Sequence, residues 1–369
     1  MLTWDKKQIK IAGGGYGRII TLKNGRLLAA NDCANAVELS VSGDCGLTWT
    51  HFAKATATQY GPLGDKLCIA NANVFEYAEN CLMVAYRAHS FNTEERFYTS
   101  IRYQLSEDGG KTFGEPIILC ELQRDDNSFS GFWEPHMEFL PDGRVAIYYA
   151  NDCVGPENAD FPYVPSLKSQ YIMVHVFDNA QKRFGAPIVA CDGVKHQSRD
   201  GMPVVCHLQG GGMAMVIEAN HDKRYRFITQ MLFSEDGIKW SEPVTVFKPR
   251  ENGLYAGAPF VCLLPDGRLA VSCQANENSG SVKGKNAVFN STMNVIVSKK
   301  PVTLENCSSI TEADFERATE FPLHMGEESF AIWPAMHVHG GYLLCCAQCG
   351  NNNGERYGLY LRRAPIAAI

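Results

Sequence analysis

Apolar residues along this chain fall into short runs, some alternating with polar positions and some continuous, and turn-forming Gly, Asn and Asp-Gly separate them. Helical periodicity is confined to one turn around residues 312–317. One unit, apolar strand, tight turn, apolar strand, recurs six times: at 18–30 about Asn24-Gly25, 71–87 about Glu79-Asn80, 134–149 about Pro141-Asp142-Gly143, 200–218 about Gly210 to Gly212, 258–274 about Pro265-Asp266-Gly267, and 333–348 about Gly340-Gly341. Asn-Gly and Asp-Gly supply the positive φ that tight hairpins demand, and the flanking Val, Ile, Leu, Phe and Tyr suit a pleated surface. Each hairpin is followed by a further strand pair, clearest at 98–105, 171–177 and 227–233. Four strands per unit, six times over, predict an all-β chain: a six-bladed β-propeller of four-stranded antiparallel blades, with residues 1–369 forming one domain. A blade buries its faces only against its neighbours, and ring closure leaves no long bare edge. A sandwich or β-helix is the competing all-β arrangement and fits the four-strand spacing less well.

A second pattern sits between the outer strands. Residues 42–49, 106–113 and 234–240 share the form Ser-x-Asp-x-Gly-x-Thr-Trp, with Phe113 as the aromatic in the second copy and one residue deleted from the third. Asp44, Asp108 and Asp236 are expected to accept backbone hydrogen bonds across a turn, with Gly supplying positive φ and the aromatic plugging the blade interior. These carboxylates read as structural, not catalytic.

In a hairpin the first and last residues lie together, opposite the turn, so strand starts and partner-strand ends ring one axial mouth. The repeat places Arg18, Asn71, Glu134, Asp200, Ala258 and Trp333 at the starts, and Asn31, Arg87, Asn151, Glu218, Gln274 and Gln348 at the ends. Any one rim residue reads as a solvated loop position; the ring together reads as a carboxyl pair braced by Arg, amide and aromatic groups, the equipment of glycoside cleavage. Glu134 stands beside Trp133, and Glu218 ends the apolar run 213–217. Desolvation favours a protonated carboxyl, so Glu218 is expected as acid/base and Glu134 as nucleophile. Arg18, Asp65, Asn71, Arg87 and Asp200 are expected to grip a terminal sugar, with His89, Arg199 and Gln274 on the same rim and Trp133, Tyr255 and Trp333 as aromatic platforms. Asp65 has an equally good reading as a loop cap.

Composition narrows the partners. A net charge of −6 with no dense Lys/Arg block argues against nucleic acid. No run approaches the roughly 18 apolar residues of a membrane helix. The start, Met1 to Lys7, shows no apolar export segment, and the 14 cysteines recur inside apolar runs, as at Cys206, Cys262 and Cys273. Buried reduced thiols in a cytoplasmic protein are therefore expected. Cys346 and Cys349 are a single pair at zinc-finger spacing with no second pair to complete a site, so neither a metal nor another cofactor is expected, and an oligosaccharide is the predicted partner.

With these motifs the chain resembles the Asp-box, six-bladed propeller hydrolases, a group that includes the sialidases and the exo-arabinanases of glycoside hydrolase family 93. The more specific likeness, in Gly64-Asp65-Lys66-Leu67, Tyr86-Arg87-Ala88-His89, Trp133-Glu134-Pro135, Arg199-Asp200 and Val216-Ile217-Glu218, is to the exo-arabinanase pattern. That resemblance implies a catalytic pair of glutamates from blades three and four, here Glu134 and Glu218, in a retaining exo-hydrolase of arabinofuranosyl or similar neutral sugars. The sialidase alternative requires three arginines converging in the mouth; Arg18 stands near the sialidase position but is followed by Ile19-Ile20 where that family has Ile-Pro. A carbohydrate-binding propeller without catalysis is the third reading.

Overall fold

A computed structural model describes residues 2–62, 64–90, 97–124, 130–152, 169–277, 291–323, 329–351 and 357–368. Of the segments 128–132, 151–169 and 276–290, expected from their irregular sequence to wall the cleft, residues 128–129, 153–168 and 278–290 lie outside that description.

The turn chemistry read from the repeat folds as six antiparallel blades. Blade 1 is Gly15–Thr21, Leu27–Cys33, Ala36–Ser42 and Thr50–Lys54; blade 2 is Cys68–Ala78, Cys81–His89, Phe97–Ser106 and Ile117–Arg124. Blade 3 comprises Phe132–Phe139, Val145–Asn151 and Tyr171–Asp178, its outer position split between Arg183–Phe184 and Ile188–Asp192. Blade 4 is Gly201–His207, Met213–Ala219, Ile228–Ser234 and Val244–Phe247, and blade 5 is Ala256–Leu263, Leu269–Ala275, Thr292–Ser298 and Phe315–Arg317. Blade 6 takes Ser329–His339, Tyr342–Asn351 and Tyr357–Pro365 from the C-terminal end and its outermost strand, Ile9–Ala12, from the N-terminal end. The ring is thereby laced shut by strand pairing between distant parts of the chain. Asp5 clasps the same seam: its carboxylate pairs with Arg363 at 2.7 Å, and Arg363 also donates to the Cys45 carbonyl of blade 1.

First strands touch in cyclic order, and the apolar faces they present to each other form the core between blades. At the rim, Asp44 accepts from the Thr48 N–H and hydroxyl at 2.9 and 2.6 Å, and the indole of Trp49 closes on the Gly46 carbonyl. Asp108 makes the equivalent bonds, and Asp236 holds the shortened third turn through the Ile238 and Lys239 amides. These bonds favour the ionised carboxylate and pull Asp44 down to about 2.

Every first strand also carries one extra residue against its partner, between Gly15 and Arg18, Ala70 and Asn73, Trp133 and His136, Gly201 and Val204, Gly257 and Phe260, and Ile332 and Ala335. The first residue of each bulge is a non-glycine with positive φ: Tyr16, Asn71, Glu134, Met202, Ala258 and Trp333, all between 47° and 59°. Such backbone is costly for L-residues and persists only where the surroundings over-determine it. Four of these bulges continue with a proline, Pro135, Pro203, Pro259 or Pro334, which suits a position where the ladder asks for no N–H.

Candidate active site

The bulges correct the register read from the sequence. Tyr16, not Arg18, is the blade 1 counterpart of Glu134, and Met202, not Asp200, is that of blade 4. On the partner strands Asp32 and Ala150, not Asn31 and Asn151, stand level with Arg87, Glu218, Gln274 and Gln348. An inserted residue per strand is invisible to a hairpin count anchored on the turns, and it moves side chains to a different level of the axis.

At the bulge level four apolar side chains meet. Tyr16, Met202 and Ala258 form one buried cluster with Trp333 packed on it. Since Tyr16 belongs to blade 1 and its partners to blades 4 and 5, the cluster crosses the axis and floors the mouth. Arg18 lies beyond that floor. Its guanidinium stacks 4.0 Å from the Tyr16 ring and 5.4 Å from that of Phe260, and it lines a separate cavity of about 420 Å³ with Asn73 and His136.

The polar members of the level, Asn71 and Glu134, stand on adjacent blades on the mouth side. Asn71 accepts from Nε of Arg87, whose guanidinium lies 5.2 Å from the Trp133 ring. Arg87 also donates to Nδ1 of His89 at 3.1 Å, and His89 bonds the Phe132 carbonyl through Nε2 at 2.9 Å, so the imidazole is the neutral Nε2–H tautomer. Burial and the Arg87 charge hold its pKa well below the usual histidine value. Trp133 donates its indole N–H to Asp152 at 3.1 Å, and Arg199 stands 3.9 Å from the same carboxylate.

Glu218 faces this wall from blade 4 and is only 6% exposed. Its Oε2 accepts the Ala258 N–H at 2.9 Å, and Tyr255 donates its hydroxyl to the carboxylate while accepting from the Gln274 amide at 3.0 Å. Gly257 belongs here for steric reasons: a Cβ would meet both the Tyr255 hydroxyl and Glu218 Oε2. Burial raises Glu218, opposed by Arg199, the Ala258 amide and Tyr255. Glu134 is pushed up to about 7, first by burial and then by the negative charge of Glu218, with Arg199 and Arg87 opposing. Burial thus raises both carboxyls, and the charge of Glu218 raises Glu134 further. Hydrogen bonds to the ionised form favour charge on Glu218, so the resting proton sits on Glu134, the reverse of an expectation that weighed burial alone.

The structure thus gathers Glu134, Glu218, Asn71, Arg87, His89, Trp133, Arg199, Tyr255, Gln274 and Trp333 about one mouth. Gln274 is committed internally, to the Trp333 N–H at 2.6 Å and to Tyr255. Three expected sugar contacts are not brought to the pair. Arg18 lies below the floor; Asp200 is fully buried and turned toward Cys191 and His196. Asp65 lies in the turn bridged by Tyr60 and Lys66, with both carboxylate oxygens buried and without partners among the described residues. Sequence reasoning missed Asp32, Asp152, Tyr16 and Met202. Asp32 and Asp152 each follow an asparagine taken as the strand end, so a one-residue shift would have found both.

No family model and no curated protein sequence matches the chain. Among solved structures it is similar to the GH93 α-L-arabinofuranosidase of Fusarium graminearum in complex with arabinobiose, at TM-score 0.68 and 14% identity, covering 98% of both chains. It is similar to the α-L-arabinanase of Penicillium chrysogenum complexed with arabinobiose, at TM-score 0.63 and 18% identity over 100% of this chain and 99% of that one. A Dyadobacter fermentans protein of unknown function aligns at TM-score 0.66 and 12% identity, with 98% of both chains covered. At these identities the likeness establishes the propeller fold.

Proposed function

We propose that the protein is a retaining exo-acting glycoside hydrolase that removes a terminal arabinofuranosyl or similar neutral sugar from an oligosaccharide. The observation that carries the reading is the pair itself: Glu134 and Glu218 stand on adjacent blades above an apolar floor, burial raises both carboxyls, and the charge of Glu218 raises Glu134 further. Retaining enzymes hold their carboxyls about 5–5.5 Å apart and inverting ones roughly 6.5–9.5 Å, and the shorter spacing is the one this reading requires. The floor makes the mouth a blind pit, which suits a chain end. Trp333, half-buried on the floor, offers a ring face to the sugar, and Arg87, stacked on the buried Trp133, and Arg199 offer donors to its hydroxyls. Binding of arabinobiose by two proteins of the same fold supports the pentose assignment.

One carboxyl gives its proton to the leaving oxygen while the other, ionised, attacks the anomeric carbon; water then releases the sugar with the first group acting as base. The hydrogen bonds that Glu218 accepts from the Ala258 N–H and Tyr255 support Glu218 as the ionised group and Glu134 as the proton donor. The test is a panel of aryl glycosides that includes α-L-arabinofuranoside and sialoside, with the first product's anomer read by proton NMR. Cleavage of the arabinofuranoside with retention supports the reading, and sialoside cleavage or inversion contradicts it. Leaving-group dependence assigns the roles, because the variant lacking the acid keeps activity on aryl groups that need no protonation.

A further inference from the structure

The connection from blade 3 into blade 4 carries a second cluster, away from the sugar-facing side chains. Cys191 is the penultimate residue of the outer strand of blade 3, His196 lies in the loop, and Asp200 immediately precedes Gly201–His207. Their ligand-type atoms converge: Cys191 Sγ lies 3.4 Å from Asp200 Oδ2, His196 Nδ1 lies 3.3 Å from the same oxygen, and Sγ and Nδ1 are 3.9 Å apart. Tetrahedral zinc, with bonds of about 2.3 Å to sulfur, about 2.05 Å to nitrogen and about 2.0 Å to oxygen, would place these atoms about 3.5, 3.3 and 3.6 Å apart in the same order. The triangle is already close to one face of that tetrahedron.

Two further observations point to a ligand rather than to a plain hydrogen-bonded trio. Asp200 is fully buried, and its Oδ1 has no partner among the described residues, a costly state for a carboxylate whose neighbours are a thiol and an imidazole. The other nitrogen of His196, Nε2, stands 3.0 Å from Glu242 Oε2. Ligating histidines characteristically give their second N–H to a carboxylate, which leaves Nδ1 as the free donor pair toward the metal. Glu242 is itself held by Lys195.

We propose that Cys191, His196 and Asp200 form a zinc site, with Glu242 orienting His196 and a water molecule completing the tetrahedron. A thiol, an imidazole and one carboxylate suit Zn²⁺ and disfavour Ca²⁺ or Mg²⁺, which take oxygen ligands. Binding takes up one Zn²⁺ and releases the Cys191 proton to solvent; nothing is oxidised or reduced. The ion would pin the loop next to Arg199, the residue whose charge acts on both Glu134 and Glu218. It would act as a structural clamp on the catalytic wall. The proposal does not rest on the sugar reading.

The test uses the full-length protein, stripped with chelator and titrated with Co²⁺, then with Zn²⁺. One equivalent of Co²⁺ should produce a thiolate-to-cobalt charge-transfer band in the near ultraviolet and visible bands of tetrahedral intensity, and Zn²⁺ should abolish both. C191S should lose the charge-transfer band, and E242Q should weaken Zn²⁺ binding by about 10–100-fold. A wild-type protein that shows no such band overturns the proposal without reliance on any variant's folding. A band that survives in folded C191S, and so comes from another cysteine, overturns it equally.

Discussion

Two blade junctions are built alike and used differently. Between blades 1 and 2, Asp32 accepts the Asn71 and Ala72 N–H groups at 2.6 and 2.9 Å, and so holds the neighbouring bulge in its positive-φ form. Between blades 4 and 5, Glu218 stands at the same level of the same strand and holds the Ala258 N–H. Blade 5 has Pro259 where blade 2 has Ala72, so no second backbone donor exists and Oε1 of Glu218 receives none. Asp32 is saturated as a bracket. Glu218 brackets through a single backbone N–H, takes the Tyr255 hydroxyl besides, and faces Glu134. Under the proposed function, the lesson is that a catalytic carboxylate can be drafted from a structural position by removing a single N–H.

The comparison is broken most severely by removing charge while keeping the bracket. E134Q and E218Q should each lower turnover by about 10³-fold or more, measured as initial rates on the cleaved glycoside. E218Q should keep the fold, because Gln274 already holds the Trp333 N–H through an amide oxygen. D32A, by contrast, orphans two buried donors and should cost about 2–4 kcal/mol in denaturant unfolding; a loss as small as that of a surface substitution would mean that Asp32 does not hold the junction.

P259A sharpens the contrast. It offers Glu218 a second N–H, as Ala72 offers Asp32, and should lower the Glu218 pKa and turnover by roughly tenfold, with the pH–rate profile as the check. Stability should also follow pH. Glu134, near 7, and Asp32, near 6, have folded values above their ordinary ones, so at these two sites the folded state binds more protons than the unfolded state across this interval. Their contribution is complete below the ordinary carboxyl pKa and lost as pH rises through about 6 to 7. Buried histidines lowered from their ordinary value, such as His89, His136 and His337, act in the opposite sense, so the check is a difference: relative to the wild type, E134Q should gain melting temperature as pH rises through about 7. The smallest effect belongs to the rim: D44A should cost about 1 kcal/mol and leave activity per folded molecule unchanged, and a selective loss of activity would contradict the structural role of that turn.

The repeat made the ring legible, because Asn-Gly and Pro-Asp-Gly turns have strict backbone demands that a sequence displays. Glu134 and Glu218 were legible for the same reason, each standing at a fixed offset from its turn. What the sequence hid were consequences of tertiary packing. No local signal announces that a bulge adds a residue at Tyr16 or Met202, although the run of Pro135, Pro203, Pro259 and Pro334 hints at it. Arg18 looked like a mouth residue for want of that one-residue count. Asp200 looked like a sugar ligand because its partners, Cys191 and His196, lie at spacings shared with no familiar metal motif. Blade 6 closed with Ile9–Ala12, a pairing that depends on where the two ends of the chain meet in space.

The most direct test of the central claim measures melting temperature and turnover on one preparation of E218Q. The account predicts a melting temperature within a few degrees of the wild type together with an almost complete loss of glycoside cleavage. Wild-type turnover in that variant would show that Glu218 is a bracket and nothing more.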